Sequence, residues 1–168
     1  MTPSFISFWR PSVLCRKLAR LSIFLLMSAS LASARDLALV SNKANNMMAI
    51  TLPDLVRVCK GQRDRWPDGK PVTLIMRSPN SPGMRMLLGK VYGMSEKEVA
   101  DLIVSANQGR TNHPAILVVA ADYDVINQVA SLPGAIGIVD VYSINSAVEI
   151  VKLAGKLPLE PGYLLHEN

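Results

Sequence analysis

Residues Pro71–Gly93 read PVTLIMRSPNSPGMRMLLGKVYG, an apolar run, a polar loop and a second apolar run in succession. Val72 to Met76 is rich in β-branched and aliphatic residues and contains no breaker, the pattern of a strand buried on both faces. Ser81 with Pro82 fits a helix cap and first helical position, so the spacing predicts a helix through GMRMLLGKVY to a stop at Gly93. Between them Arg77–Arg85, RSPNSPGMR, holds two arginines, two serines, an asparagine and a glycine in nine residues. A helix start offers free N–H groups and the positive end of its dipole, which is where an anion settles. The candidate ligand-binding residues are therefore Arg77, Ser78, Asn80, Ser81, Gly83 and Met84 (the last two through their N–H groups) and Arg85, one turn on. The same residues need no ligand if Ser81 simply caps the helix. One hydroxyl can do both, so the two readings stand together.

Working outward, LALVS (Leu37–Ser41) has the length of a strand, and NKANN after it reads as a polar linker. Thr51 and Asp54 have the spacing of a helix start, Pro53 sits in the first turn and Gly61 closes the end. Leu52, Leu55, Val56 and Cys59 form that helix's apolar stripe, which places Cys59 in the core. WPDG (Trp66–Gly69) is a tight turn. Ser95 and Glu98 make a capping box for a helix ending near Gly109. AILVVA is a short strand, and Asp122 reads as the cap of a helix that stops at Pro133 and Gly134. Asp124 adds a first-turn charge favoured by the dipole. AIGIVD is another strand, with Gly137 marking a close approach by a neighbouring element. SAVEIVKLAGK fits either period; the breakers Gly155, Pro158, Pro161 and Gly162 decide for a strand. Alternating strands and helices predict an α/β sheet of about five strands flanked by helices. In such sheets ligands sit beyond the carboxyl ends of the strands, where RSPNSPGMR lies.

At the amino terminus, Arg10, Arg16, Lys17 and Arg20 precede LSIFLLMSASLASA, which ends in Ala32-Ser33-Ala34. This is the pattern of a secretory signal peptide cleaved after Ala34, and the apolar run falls short of the roughly 20 residues of a membrane span. Removing 34 of 168 residues leaves 134, expected to form one lobe from residue 35 to 168. Of 18 Lys and Arg four go with the leader, leaving 14 against 13 Asp and Glu, a net charge of +1. The basic cluster Lys60, Arg63, Arg65 is broken by Asp64 and followed by Asp68, so no nucleic-acid face is expected. Cys59 is then the one cysteine left, and no internal disulfide can form.

Catalytic patterns are missing. His113 and His166 are the two histidines, with no HExxH and no cysteine pair for a metal. Ser81 lacks the preceding glycine of a nucleophile elbow, and no phosphate loop or dinucleotide fingerprint occurs. The sequence reads as a non-enzyme without a cofactor.

Several stretches in order resemble one family. Leu52 and Leu55 are followed by Gly61, then by Trp66 with PDG; Arg77 and Ser81 stand in the loop; LPGAIGIV spans Leu132–Val139; and AGKLPLEPGYLL lies near the end. This order resembles the phosphate-binding proteins of ABC-type importers, within the periplasmic solute-binding proteins. The resemblance implies a two-lobed fold closing over an oxyanion, of which this chain matches the second lobe only. It implies phosphate or a similar oxyanion as ligand, an ABC transporter membrane component as partner, and a partner chain or second copy to supply the other lobe. The family loop runs arginine, three residues, serine, glycine, threonine. Arg77 and Ser81 keep that spacing, but Pro82 has no N–H and Gly83 no hydroxyl, so two donors are lost. The alternative is an envelope interaction or assembly module that has given up the anion.

Overall fold

The computed structural model describes residues 36–166. The leader read at 1–34 lies outside them. Leu37–Ser41 forms strand β1 and Ala49–Ile50 the two-residue β2. Thr51 accepts from the Asp54 N–H at 3.2 Å and starts helix α1, Leu52–Cys59. Strand β3 is Thr73–Arg77. Helix α2, Met84–Leu87, widens into a π turn at Leu88–Tyr92, closed by the left-handed Gly93. Next come α3 (Glu96–Ala106), β4 (Ile116–Val119), α4 (Asp122–Ser131), β5 (Ala135–Asp140) and β6 (Glu149–Leu153).

The sheet has six strands in the order β2-β6-β1-β5-β3-β4, one more than expected because β2 is too short to leave a sequence pattern. β3 runs parallel to β4 and β5, β1 is antiparallel to β5 and β6, and β2 is parallel to β6. The carboxyl ends of β2 to β6 therefore line one edge, joined there by the start of β1. Residue alternation sends the strands' side chains into two cores. Leu37, Leu39, Leu74, Met76, Ile136 and Ile138 pack with residues of α1, α2 and α3. Ala38, Val40, Ile75 and Val139 pack with Val125, Ile126 and Val129 of α4. Each such aliphatic side chain contributes about 1.5–3 kcal/mol relative to exposure. In β6 the buried residues are Val151 and Leu153, while Ile150 faces outward. Cys59 is fully buried, and burial pushes its thiol up to about 12, so it is packing and not a nucleophile.

The NKANN segment is more than a linker. Asn42 donates from Nδ2 to the carbonyls of Val129 and Ala130 at 2.8 and 2.9 Å, satisfying the last turn of α4. Asn45 donates to Ala135 O at 2.9 Å and accepts from Gly134 N at 2.7 Å. The outer edge of β4 is blunted in a similar way: the Asn107 amide donates to Ile116 O at 2.8 Å and accepts from Ile116 N at 3.1 Å.

Two expected helix starts are corrected. Ser81 does not cap α2; Gly83 stands at the cap position with φ +86° and ψ −21° and makes no side-chain bond. Pro82 and Gly83 are the central pair of a type II turn closed by Met84 N donating to Ser81 O at 3.1 Å, which delays the helix to Met84. Asp122 is likewise the first residue of α4 and not its cap. Ala121 precedes it, and its N–H donates to Asp124 Oδ2 at 3.2 Å.

Three substitutions test these assignments. Ser95 Oγ accepts from Glu98 N while Glu98 accepts from Ser95 N at 2.8 Å, so Ser95→Ala should cost about 1 kcal/mol in urea denaturation. Ser81→Ala should cost less than about 0.5 kcal/mol, and equal costs would contradict the turn assignment. A Cβ on Gly137 would lie 2.7 Å from Val129 Cγ2 and 2.8 Å from Val125 Cγ1. Gly137→Ala should therefore destabilise by about 1–3 kcal/mol, and an unchanged midpoint would rule out so close a helix.

Candidate functional site

Arg77 is the last residue of β3. It pairs with Val119 in the β3–β4 register, and continuing the β3–β5 register brings Val139 level with it. The loops that follow three parallel strands thus meet around its side chain. α4 begins three residues after Val119, which carries Asp122 to the guanidinium.

Arg77 Nη2 donates to Pro82 O at 2.9 Å. Arg77 Nε lies 3.1 Å from Asp122 Oδ1, and the two side chains are only 14% and 15% exposed. The contact is ionic: the Nε proton is buried and has no aligned acceptor. Asp140 N donates to the same Asp122 oxygen at 3.4 Å. One carboxylate therefore bridges the ends of β3 and β5 from the first turn of α4, where the helix dipole also favours a negative charge. An ion pair this sheltered from water is screened less than a surface pair.

The loop satisfies much of its own polarity. Ser81 N donates to Ser78 O at 2.9 Å and Met84 N to Ser81 O at 3.1 Å, so the Met84 N–H expected to meet an anion is already used. The Met84 side chain is fully buried in the core. Gly83 lies against Arg77, with 3.3 Å between a built Cβ and Nη2. Ser78 and Asn80 line a pocket of about 310 Å³ with Pro79, Glu96, Lys97 and Ala100. Lys97 is paired with Asp101 at 2.7 Å, and Glu96 puts a negative charge in the same lining. Arg85 is exposed.

The structure thus gathers Arg77, Ser81 and Gly83 into one turn-and-strand end, and adds Asp122, which sequence reasoning had placed as a helix cap. Only the strand order β5-β3-β4 makes the two neighbours. What the loop still offers a ligand includes the Gly83 N–H, the Ser78 and Ser81 hydroxyls, the exposed Asn80 amide and Arg85 guanidinium, and the Arg77 protons that neither Pro82 nor Asp122 engages. Three arginines elsewhere are tied down. Arg63 bonds Asp54 at 2.8 Å and stacks over the Trp66 ring, Arg65 donates to Gly69 O at 2.7 Å, and Arg110 pairs with Asp64. Trp66 Nε1 donates to Gly134 O at 2.7 Å, joining two of the stretches that carry the family resemblance.

No family model and no curated protein matches the sequence. Solved structures do match the fold. An ABC-type phosphate transport receptor from Vibrio cholerae aligns with TM-score 0.62 at 18% identity, covering 80% of this chain and 54% of that one. PstS from Borrelia burgdorferi aligns with TM-score 0.60 at 16% identity, covering 80% and 55%. A putative phosphate ABC transporter substrate-binding protein with bound phosphate from Clostridium perfringens aligns with TM-score 0.58 at 18% identity, covering 73% and 46%. The chain spans about half the length of these structures. Its six-stranded mixed sheet with helices on both faces is a single lobe of the periplasmic-binding-protein-like fold found in phosphate-transport binding proteins.

Proposed function

We propose that the chain is a secreted or periplasmic solute-binding module, released by cleavage near Ala34, that takes phosphate or a related oxyanion weakly at the Arg77–Met84 loop. The observation that carries this reading is a guanidinium at the carboxyl end of a parallel strand, beside a loop entering a helix, in a fold shared with phosphate-transport binding proteins. The remaining donors number few, and each charge-assisted hydrogen bond contributes about 1.5–3 kcal/mol before ordering costs. That total supports millimolar affinity, about −4 kcal/mol, and not micromolar. An ABC transporter membrane component is the partner this reading implies. Tighter binding would need a second lobe from another chain or a second copy.

A second reading, an envelope interaction or assembly module, is favoured by two side chains. Tyr123 and Tyr142 are 68% and 76% exposed and follow closely on Asp122 and Asp140, so they rim the same edge. Exposed tyrosines are frequent anchors of protein contacts.

Titration of phosphate and sulfate into the secreted chain, followed by amide chemical shifts, tests the first reading. Shifts at Gly83 and its neighbours with millimolar dissociation constants are expected, lost in Arg77→Ala. No shift with the protein folded would remove it. For the second reading, a partner captured from an envelope extract should be lost in a Tyr123→Ala, Tyr142→Ala double variant; retention would count against it.

A further inference from the structure

We propose that Asp122 sets the oxyanion affinity of the Arg77 loop by occupying the guanidinium that a ligand would otherwise engage. The inference rests on the oxyanion reading above and adds to it the residue that holds the affinity down.

Arg77 and Asp122 lie 3.1 Å apart with both side chains largely sheltered, so their charges cancel at short range. Asp140, the last residue of β5, reaches Asp122 through its N–H, while its own Oδ1 accepts from Tyr142 N at 2.9 Å. An incoming anion thus meets a cation that already faces a carboxylate. Helix α2 offers little compensation, because its first N–H, from Met84, is already bonded to Ser81 O. Yet the pair is imperfect: the buried Nε proton has no aligned acceptor. An oxyanion on the loop side would have to share the guanidinium with Asp122 across this contact, and the negative charge it meets there weakens it.

Asp122→Asn removes that charge while keeping the shape and the Oδ1 acceptor that faces Arg77 Nε and Asp140 N. It should bind inorganic phosphate about tenfold more tightly than the natural chain, the factor that about 1.4 kcal/mol supplies. Asp124→Asn lies two residues along α4, where the carboxylate serves the Ala121 N–H, and should change affinity less than about twofold. Asp122→Ser provides a second neutral variant should the asparagine fail to fold. The experiment titrates inorganic phosphate into these chains at constant ionic strength, monitored by amide shifts, with Arg77→Ala in the Asp122→Asn background as the negative control. Tighter binding in either neutral variant, abolished by Arg77→Ala, upholds the inference, and so does binding seen in the variant alone. Affinity equal to the natural chain's in a folded variant overturns it and leaves the oxyanion reading standing. Absence of shifts in every folded chain overturns both.

Discussion

Three parallel strands lie side by side as β5, β3 and β4, and the loops that leave their carboxyl ends have nowhere to go but one short stretch of sheet edge. That constraint places the end of β3, the start of α4 and the end of β5 in mutual contact. A charge sheltered at such a point needs a partner within reach, because burial without one is costly. Arg77 is answered by Asp122, and Asp122 also takes the Asp140 N–H. The loop from Ser78 to Gly83 then folds over the guanidinium through Pro82 O. Close packing below supports the arrangement, with α4 seated on Gly137 so that Val125 and Val129 touch the strand backbone.

Local chemistry was readable from the sequence wherever it was settled locally. Thr51, Ser95 with Glu98, the WPDG turn and the apolar runs Leu37–Ser41 and Thr73–Arg77 all declared their elements, because caps, turns and strands depend on neighbours a few residues away. The strand at Glu149–Leu153 was readable only through the breakers that follow it. The misses have a common cause. Ser81-Pro82 satisfies the pattern of a helix start, but Pro82-Gly83 satisfies that of a type II turn equally well, and the covering guanidinium favours the turn. Asp122 has the composition of a cap, yet its partner lies 45 residues earlier. Asn42 and Asn45 look like linker residues, and their partners at Val129, Ala130 and Ala135 become neighbours only once the strand order is known.

For the candidate site, the sequence places Arg77 at a strand end beside the loop, and the structure shows that the loop's donors are fewer than expected because Met84 N is bonded to Ser81 O. The loop lies at the carboxyl end of a parallel strand and directs much of its polarity inward. The chain covers about half of the structures it aligns with, and Arg77, Tyr123 and Tyr142 lie along one edge of its sheet. The proposed weak ligand and the proposed contact surface would both use this edge and leave the core beneath it unchanged. The two outcomes differ in whether the guanidinium is available, which makes one ion pair the hinge of the functional reading.

The strength of that pair in the folded chain can be measured by a double-mutant cycle on Arg77 and Asp122, using urea denaturation of the natural chain, Arg77→Ala, Asp122→Ala and the double variant. Contacts of this kind carry interaction energies of about 0.5–3 kcal/mol, and the shelter of both side chains places the expected coupling at about 1 kcal/mol or more. A coupling within about 0.3 kcal/mol of zero would show that Asp122 does not hold the guanidinium, and would contradict the account.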